Sequence, residues 1–130
     1  MSIDEAKLDK AISDASKHDD EYLYYLLGSF VVGPGYQTQS AGKVQESGKS
    51  FFEKFKSSMR AEVCGPNGPY KALEKGLLAK KDLPKWVAIA ILTGVPTLGG
   101  ITVTYAIAAY TALLITKAGL GAYCAGEKHT

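Results

Sequence analysis

Trp86 to Thr116 reads WVAIAILTGVPTLGGITVTYAIAAYTALLIT, thirty-one residues without a charge, between KKDLPK (Lys80–Lys85) and Lys117. How this stretch is buried decides the fold. It is too long for one buried strand, and Gly94-Val95-Pro96 and Gly99-Gly100 punctuate it too heavily for a plain membrane span. Crossing about 30 Å of hydrocarbon takes about twenty continuous apolar residues as helix. Ile101 to Thr116 supplies sixteen and Trp86 to Thr93 eight. Joining them places Pro96 and two glycines at the centre, which a membrane tolerates only where neighbouring helices satisfy the freed backbone groups. The stretch therefore reads as a broken apolar hairpin, in a protein core or in lipid. ITVTY and VAIAI also alternate as strands do, and β-branched residues favour that. The alanine- and leucine-rich TYAIAAYTALLITKAG is too long for a typical strand and reads as helix.

Working outward, the rest of the chain supplies helices to cover the hairpin. Ser2 and Glu5 form a capping box. Ile3, Leu8, Ile12, Ala15, Tyr22, Leu26 and Phe30 then follow at helical spacing. A first amphipathic helix is expected over 2–33, with a kink or break at His18-Asp19-Asp20, ended by Gly33-Pro34-Gly35. A second spans 43–63, with Val44, Phe51, Phe52, Phe55, Met59 and Val63 on one face. The CGPNGP turn (Cys64–Pro69) ends it. Pro69 opens a short third helix over 69–81, since the first helical position needs no N–H. Asp82 reads as the N-cap of a fourth helix, and the hairpin occupies 84–118, with Gly119 as its stop. The expected fold is all-α: one domain over residues 1–130, a bundle of about five helices with an apolar C-terminal hairpin.

A chain of 130 residues can bury roughly two-thirds of its unfolded surface. Its 46% hydrophobic and 22% charged residues are those of an ordinary globular protein. The net charge of +2 is unevenly spread. Seven acids and three lysines lie in residues 1–21, whereas ten basic groups and five acids lie in 43–85. The basic middle is expected to be a solvated helix surface facing the acidic N-terminal helix. An anionic membrane surface is the functional alternative. Nucleic acid is disfavoured because Arg60 is the single arginine, and base and phosphate recognition favours the guanidinium fork. The polar N-terminal SIDEAKLDK carries no signal-peptide pattern. A cytoplasmic protein with Cys64 and Cys124 as reduced thiols is therefore expected, associated with the inner membrane if the hairpin engages lipid.

No catalytic signature appears. Gly42 to Ser50, GKVQESGKS, approaches a phosphate-binding loop, but its spacing is one residue too long and no strand precedes it. Asp14, Asp19, Asp20 and Glu21 lack the spacing of a calcium loop. His18 lies in a charged stretch without an oxyanion-hole glycine loop beside Ser13 or Ser16. No catalytic residues, cofactor or metal are assigned, and the chain reads as a non-enzyme. The eight tyrosines suit an aromatic membrane belt or, as the plainer reading, core and boundary packing with wet hydroxyls.

The C-terminal ALLITKAGLGAYC (Ala112–Cys124), after a cysteine-containing turn and an apolar segment, is similar to a pattern of small uncharacterised bacterial helical proteins. Those often stand near mobile or defence-related genes; the resemblance implies an all-helical fold and no catalytic residues. The expected function is a helical effector or interaction protein that self-associates and engages a membrane through residues 86–116. Its carriers would be Trp86, Ile89, Leu92, Pro96, Ile101, Tyr105, Tyr110, Leu113 and Leu114, with Gly94, Gly99 and Gly100 as hinges. Lys80, Lys81 and Lys85 would contact headgroups. The alternative is a soluble adaptor, inhibitor or immunity-type protein that binds a protein partner through its first two helices.

Overall fold

The computed structural model describes residues 3–125. Its elements run α1 (Glu5–Ala15), α2 (Asp20–Val32), α3 (Ala41–Cys64), α4 (Pro69–Glu74) and α5 (Leu83–Gly94), then β1 (Thr97–Leu98), β2 (Ile101–Thr102), α6 (Tyr105–Ala118) and α7 (Leu120–Ala125). Single 3₁₀ turns lie at Tyr36–Thr38 and Lys80–Asp82. The fold is all-α apart from the two-residue strands.

Two helical hairpins make the body. In the first, α2 packs along α3 in the most extensive helix contact of the molecule. Glycines set that approach: a Cβ on Gly28 would lie 1.8 Å from the Val44 carbonyl oxygen, and one on Gly48 would lie 1.9 Å from that of Tyr24. The second hairpin is α5–α6, the apolar stretch itself. Val87, Ala88, Ile91, Ile107, Ala108, Ala109, Ala112 and Ile115 are at most 1% exposed. The helix α1 lies across α6 and α5, burying Leu8 and Ala15. Thr111 is fully buried on α6, and its hydroxyl donates back to the Ile107 carbonyl at 2.9 Å. Among the described residues no buried side-chain polar atom lacks a partner.

Several boundaries differ from the sequence expectation. The single helix over 2–33 is two. Asp19, in extended backbone, accepts from the Tyr22 N–H at 2.9 Å and caps α2, so the acid that interrupts the apolar stripe starts a new helix. Asp4 caps α1, accepting from the Lys7 N–H at 3.2 Å; Ser2 of the expected capping box lies outside the described residues. The helix expected over 69–81 stops at Glu74, because Gly76 takes φ +73° and turns the chain. Asp82 precedes α5 with helical backbone and caps nothing. The hairpin's second helix begins at Tyr105 rather than Ile101, capped by Thr104, whose hydroxyl accepts from the Ile107 N–H at 3.2 Å.

The residues before Tyr105 use their strand character. Leu98 pairs with Ile101 and Thr97 with Thr102, antiparallel, around Gly99-Gly100 at φ +58° and +82°. Positive φ at both central residues is the tight-hairpin geometry that selects glycine. The expected hinge glycines thus form a hydrogen-bonded turn, and Gly99 lies so close to Phe55 that a Cβ would approach its ring within 2.7 Å.

Cys64 and Cys124, expected as thiols, are joined in a disulfide with Cα atoms 5.5 Å apart. The reason is α7, an element beyond the expected stop at Gly119, which folds back onto α3 and α4.

Candidate functional site

The described surface exposes four large apolar or aromatic side chains, Tyr22 and Phe30 on α2 and Leu77 and Trp86, and the last two share one groove at the α4–α5 end. Helix α4 closes with two backbone bonds: the Gly76 N–H reaches the Leu73 carbonyl at 3.1 Å and the Leu77 N–H reaches Ala72 at 2.9 Å. That is the double closure of a Schellman cap. The hydrophobic residue after such a cap usually folds back on its own helix. Here Leu77 stands 77% exposed. Across from it, Trp86 is 45% exposed on α5. Between them runs a groove of about 450 Å³. Leu77, Leu78 and Ala72 form one side, Trp86, Ile89, Ala90 and Thr93 of α5 another, and Glu62 with Asn67–Pro69 the end. Glu62 closes that end by lying on Gly94, where a Cβ would come within 2.2 Å of its carboxyl carbon.

The charged residue that lines the groove is Glu62, whereas lysines flank Leu77 along the chain. Lys75, Lys80 and Lys81 are exposed and form no ion pair among the described residues. Lys71 is paired with Glu74 at 3.4 Å. Lys85, expected to contact headgroups, instead reaches Glu5 at 2.8 Å and Asp9 at 3.4 Å. The hydrogen bond to Glu5 holds its ammonium above the ordinary lysine pKa against partial desolvation, with Asp9 adding to the effect. Acidic helix and basic segment thus meet at Lys85, while Lys117 of α6 reaches Asp20 of α2 at 3.5 Å. Lys75, Lys80 and Lys81 lie within two to four residues of Leu77 in the chain.

Of the residues singled out in the sequence, Trp86 and Ile89 line this groove. Leu92, Leu113 and Leu114 are core residues, and Ile101, Tyr105 and Tyr110 are half-buried. Pro96 precedes β1, exposed. Tyr105 anchors the chain's start, its hydroxyl accepting from the Asp4 N–H at 2.8 Å. The exposure of Leu77 and the place of Lys75 were missed. The available signal was Gly76, whose position behind a short helix marks a stop that throws the next residue outward.

Tyrosines sit at boundaries. Tyr22 and Tyr25 stack on the outer side of α2 with centroids 5.7 Å apart, between His18 and Tyr36. Burial, then Tyr22 and Asp14, raises the Tyr110 hydroxyl above the ordinary tyrosine pKa, and burial does the same for Tyr24 with help from Glu53 and Asp20. Near the expected acidic cluster, Asp14 pairs with Lys10 at 3.3 Å, Asp19 caps α2 and Asp20 pairs with Lys117. The stretch GKVQESGKS lies within α3, where Gly48 serves the contact with α2.

No described helix is long and apolar enough to cross a membrane. Comparison with protein-family models, curated proteins and solved structures finds no match to this chain.

Proposed function

We propose that this protein is a non-enzymatic helical module that binds an anionic membrane surface peripherally, through Leu77 and Trp86 inserted at the headgroup level. The observation that carries the reading is a groove shared by a 77%-exposed leucine and a half-exposed tryptophan, with the exposed Lys75, Lys80 and Lys81 two to four residues from that leucine in the chain. An apolar patch rimmed by lysine is what a shallow interfacial site requires. Tryptophan favours that depth because its ring is apolar and its N–H can stay wet. The mode differs from insertion of the whole 86–116 stretch. That stretch forms the core of the bundle, and exposing it to lipid would strip α1 from α6.

The magnitudes suit reversible binding. Each lysine near an anionic surface contributes about 1 kcal/mol, and burial of one leucine side chain about 2 kcal/mol. Three lysines with Leu77 and part of Trp86 give roughly 6 kcal/mol, an affinity in the tens of micromolar.

Trp86 is the only tryptophan in the chain, so its emission reports on the site without a label. Titration with phosphatidylcholine vesicles containing phosphatidylglycerol is expected to shift that emission to the blue. The shift should weaken as salt rises. Leu77→Asp should reduce binding about tenfold or more, and Lys80→Glu with Lys81→Glu should abolish the preference for anionic lipid. Unchanged emission at millimolar lipid would sink the proposal. An emission already blue-shifted without vesicles, in a protein sedimenting as a dimer, would assign the patch to a second copy of the chain.

A further inference from the structure

We infer that the Cys64–Cys124 disulfide controls the shape of the Leu77–Trp86 groove, so that the oxidised protein docks and the reduced protein docks weakly. The inference rests on the reading of the groove given above and concerns its regulation. Cys64 is the last residue of α3, and the chain leaving it forms one end of the groove through Asn67, Gly68 and Pro69. Gly68 sits against the end of α3 so closely that a Cβ would lie 2.5 Å from the Glu62 and Val63 carbonyl oxygens. The position of this wall therefore follows the last turn of α3, where the disulfide is attached.

On the other side of the bridge, α7 packs against α3, α4 and α6. Helices α4 and α7 are six residues each. Helices that short hold their form only through tertiary contacts. Helix α4 carries Ala72 and, through its cap, Leu77; α7 is among the elements that support it. The bridge ties α7 to α3 covalently, with both cysteines at most 6% exposed. Beside it, the Tyr123 hydroxyl donates to the Lys56 carbonyl and the Arg60 Nε–H donates to the Tyr123 carbonyl at 3.3 Å. Opening the bridge leaves α7 on these and other non-covalent contacts, at the edge of the molecule. Movement of α7 then loosens α4, and Leu77 and Trp86 cease to be held as one preformed pair. Preorganisation of two anchors is a large part of what makes a small patch bind.

The exchange itself is balanced by a dithiol. Its thiolate attacks one sulfur of the bridge, forming a mixed disulfide and releasing the other cysteine. The second thiol then displaces the first cysteine, leaving two protein thiols and an oxidised dithiol. Formation runs in reverse with a disulfide oxidant. A docking surface built this way belongs to an oxidising milieu, where such bridges persist.

The full chain, oxidised or reduced with dithiothreitol, is titrated with the same anionic vesicles, and Trp86 quenching by acrylamide is measured without lipid. Reduction is expected to weaken vesicle binding about thirtyfold, the equivalent of one leucine anchor. Helical circular dichroism should be retained and Trp86 quenching altered. The double variant Cys64→Ala, Cys124→Ala should match the reduced protein. Equal binding by the two forms overturns the inference. So does collapse of the helical signal on reduction, because the bridge would then hold the whole fold rather than the groove. If neither form binds vesicles, the membrane reading fails, and quenching alone decides: a difference between the forms upholds control of the groove, and identity overturns it.

Discussion

Gly28 and Gly48 show how much a single hydrogen in place of a methyl can determine. Each sits mid-helix, where glycine lowers helix stability by about 1 kcal/mol relative to alanine. Each tolerates that because the partner backbone occupies the space a side chain would need, with carbonyl oxygens at 1.8 and 1.9 Å from the Cβ positions. Backbone cannot rotate away as a flexible side chain can, so the α2–α3 pair would have to separate. Gly28→Ala is therefore expected to destabilise the protein by about 3 kcal/mol, the upper end for overpacking, despite better helix propensity. Gly42, also in α3, has nothing within 4 Å of its Cβ position. Gly42→Ala should raise stability by roughly 0.5–1 kcal/mol through the unfolded chain. Urea denaturation of both variants checks the contrast; destabilisation by Gly42→Ala, or neutrality of Gly28→Ala, would show that the helices meet elsewhere.

At the scale of elements, caps divide the chain, and their chemistry separates two aspartates that look alike in sequence. Asp19 has extended backbone and holds the Tyr22 N–H, whereas Asp82 has helical backbone and holds none. Asp19→Ala should cost about 1 kcal/mol, the usual loss for an N-cap, and Asp82→Ala close to nothing; thermal melts of the two variants decide it. The same comparison shows what was legible. The apolar periodicities of α3, α5 and α6 follow their residues closely, since helical spacing and burial coincide there. The break at His18-Asp19-Asp20 was visible as an acid on an apolar stripe, but whether it kinks or caps depends on the backbone at Asp19. The Gly99-Gly100 turn was hidden because the strand alternation of ITVTY covers only two paired residues on that side and was outweighed by the long helical run that follows. Of the groove's lining, only Trp86 and Ile89 were legible. The outward throw of Leu77 comes from the cap at Gly76, and the diversion of Lys85 comes from an acidic helix eighty residues earlier in the chain. Distances of that kind are tertiary facts.

For the molecule as a whole, the disulfide ties the end of the first helical hairpin to the chain's last described helix, across sixty residues of sequence. Helix α4, the β-turn and α5–α6 lie inside that loop. Cross-linking restricts the unfolded chain by an amount that grows slowly with loop length. For a separation of 60 it corresponds to about 4 kcal/mol in the chain-entropy account. A domain of ordinary stability has only about 5–15 kcal/mol in total. Loss of the bridge is thus expected to leave a folded but marginal protein: helical at low temperature, with its denaturation midpoint well below that of the oxidised form. Comparing urea denaturation of oxidised and dithiothreitol-reduced protein measures the difference directly. A gap near 4 kcal/mol agrees with a bridge acting on the unfolded chain. A gap below about 1 kcal/mol would mean that the reduced native state relaxes by a comparable amount, with α7 leaving its place despite the bonds of Tyr123 and Arg60. In that event the groove would change shape after reduction, so one stability measurement also bears on whether the bridge governs docking.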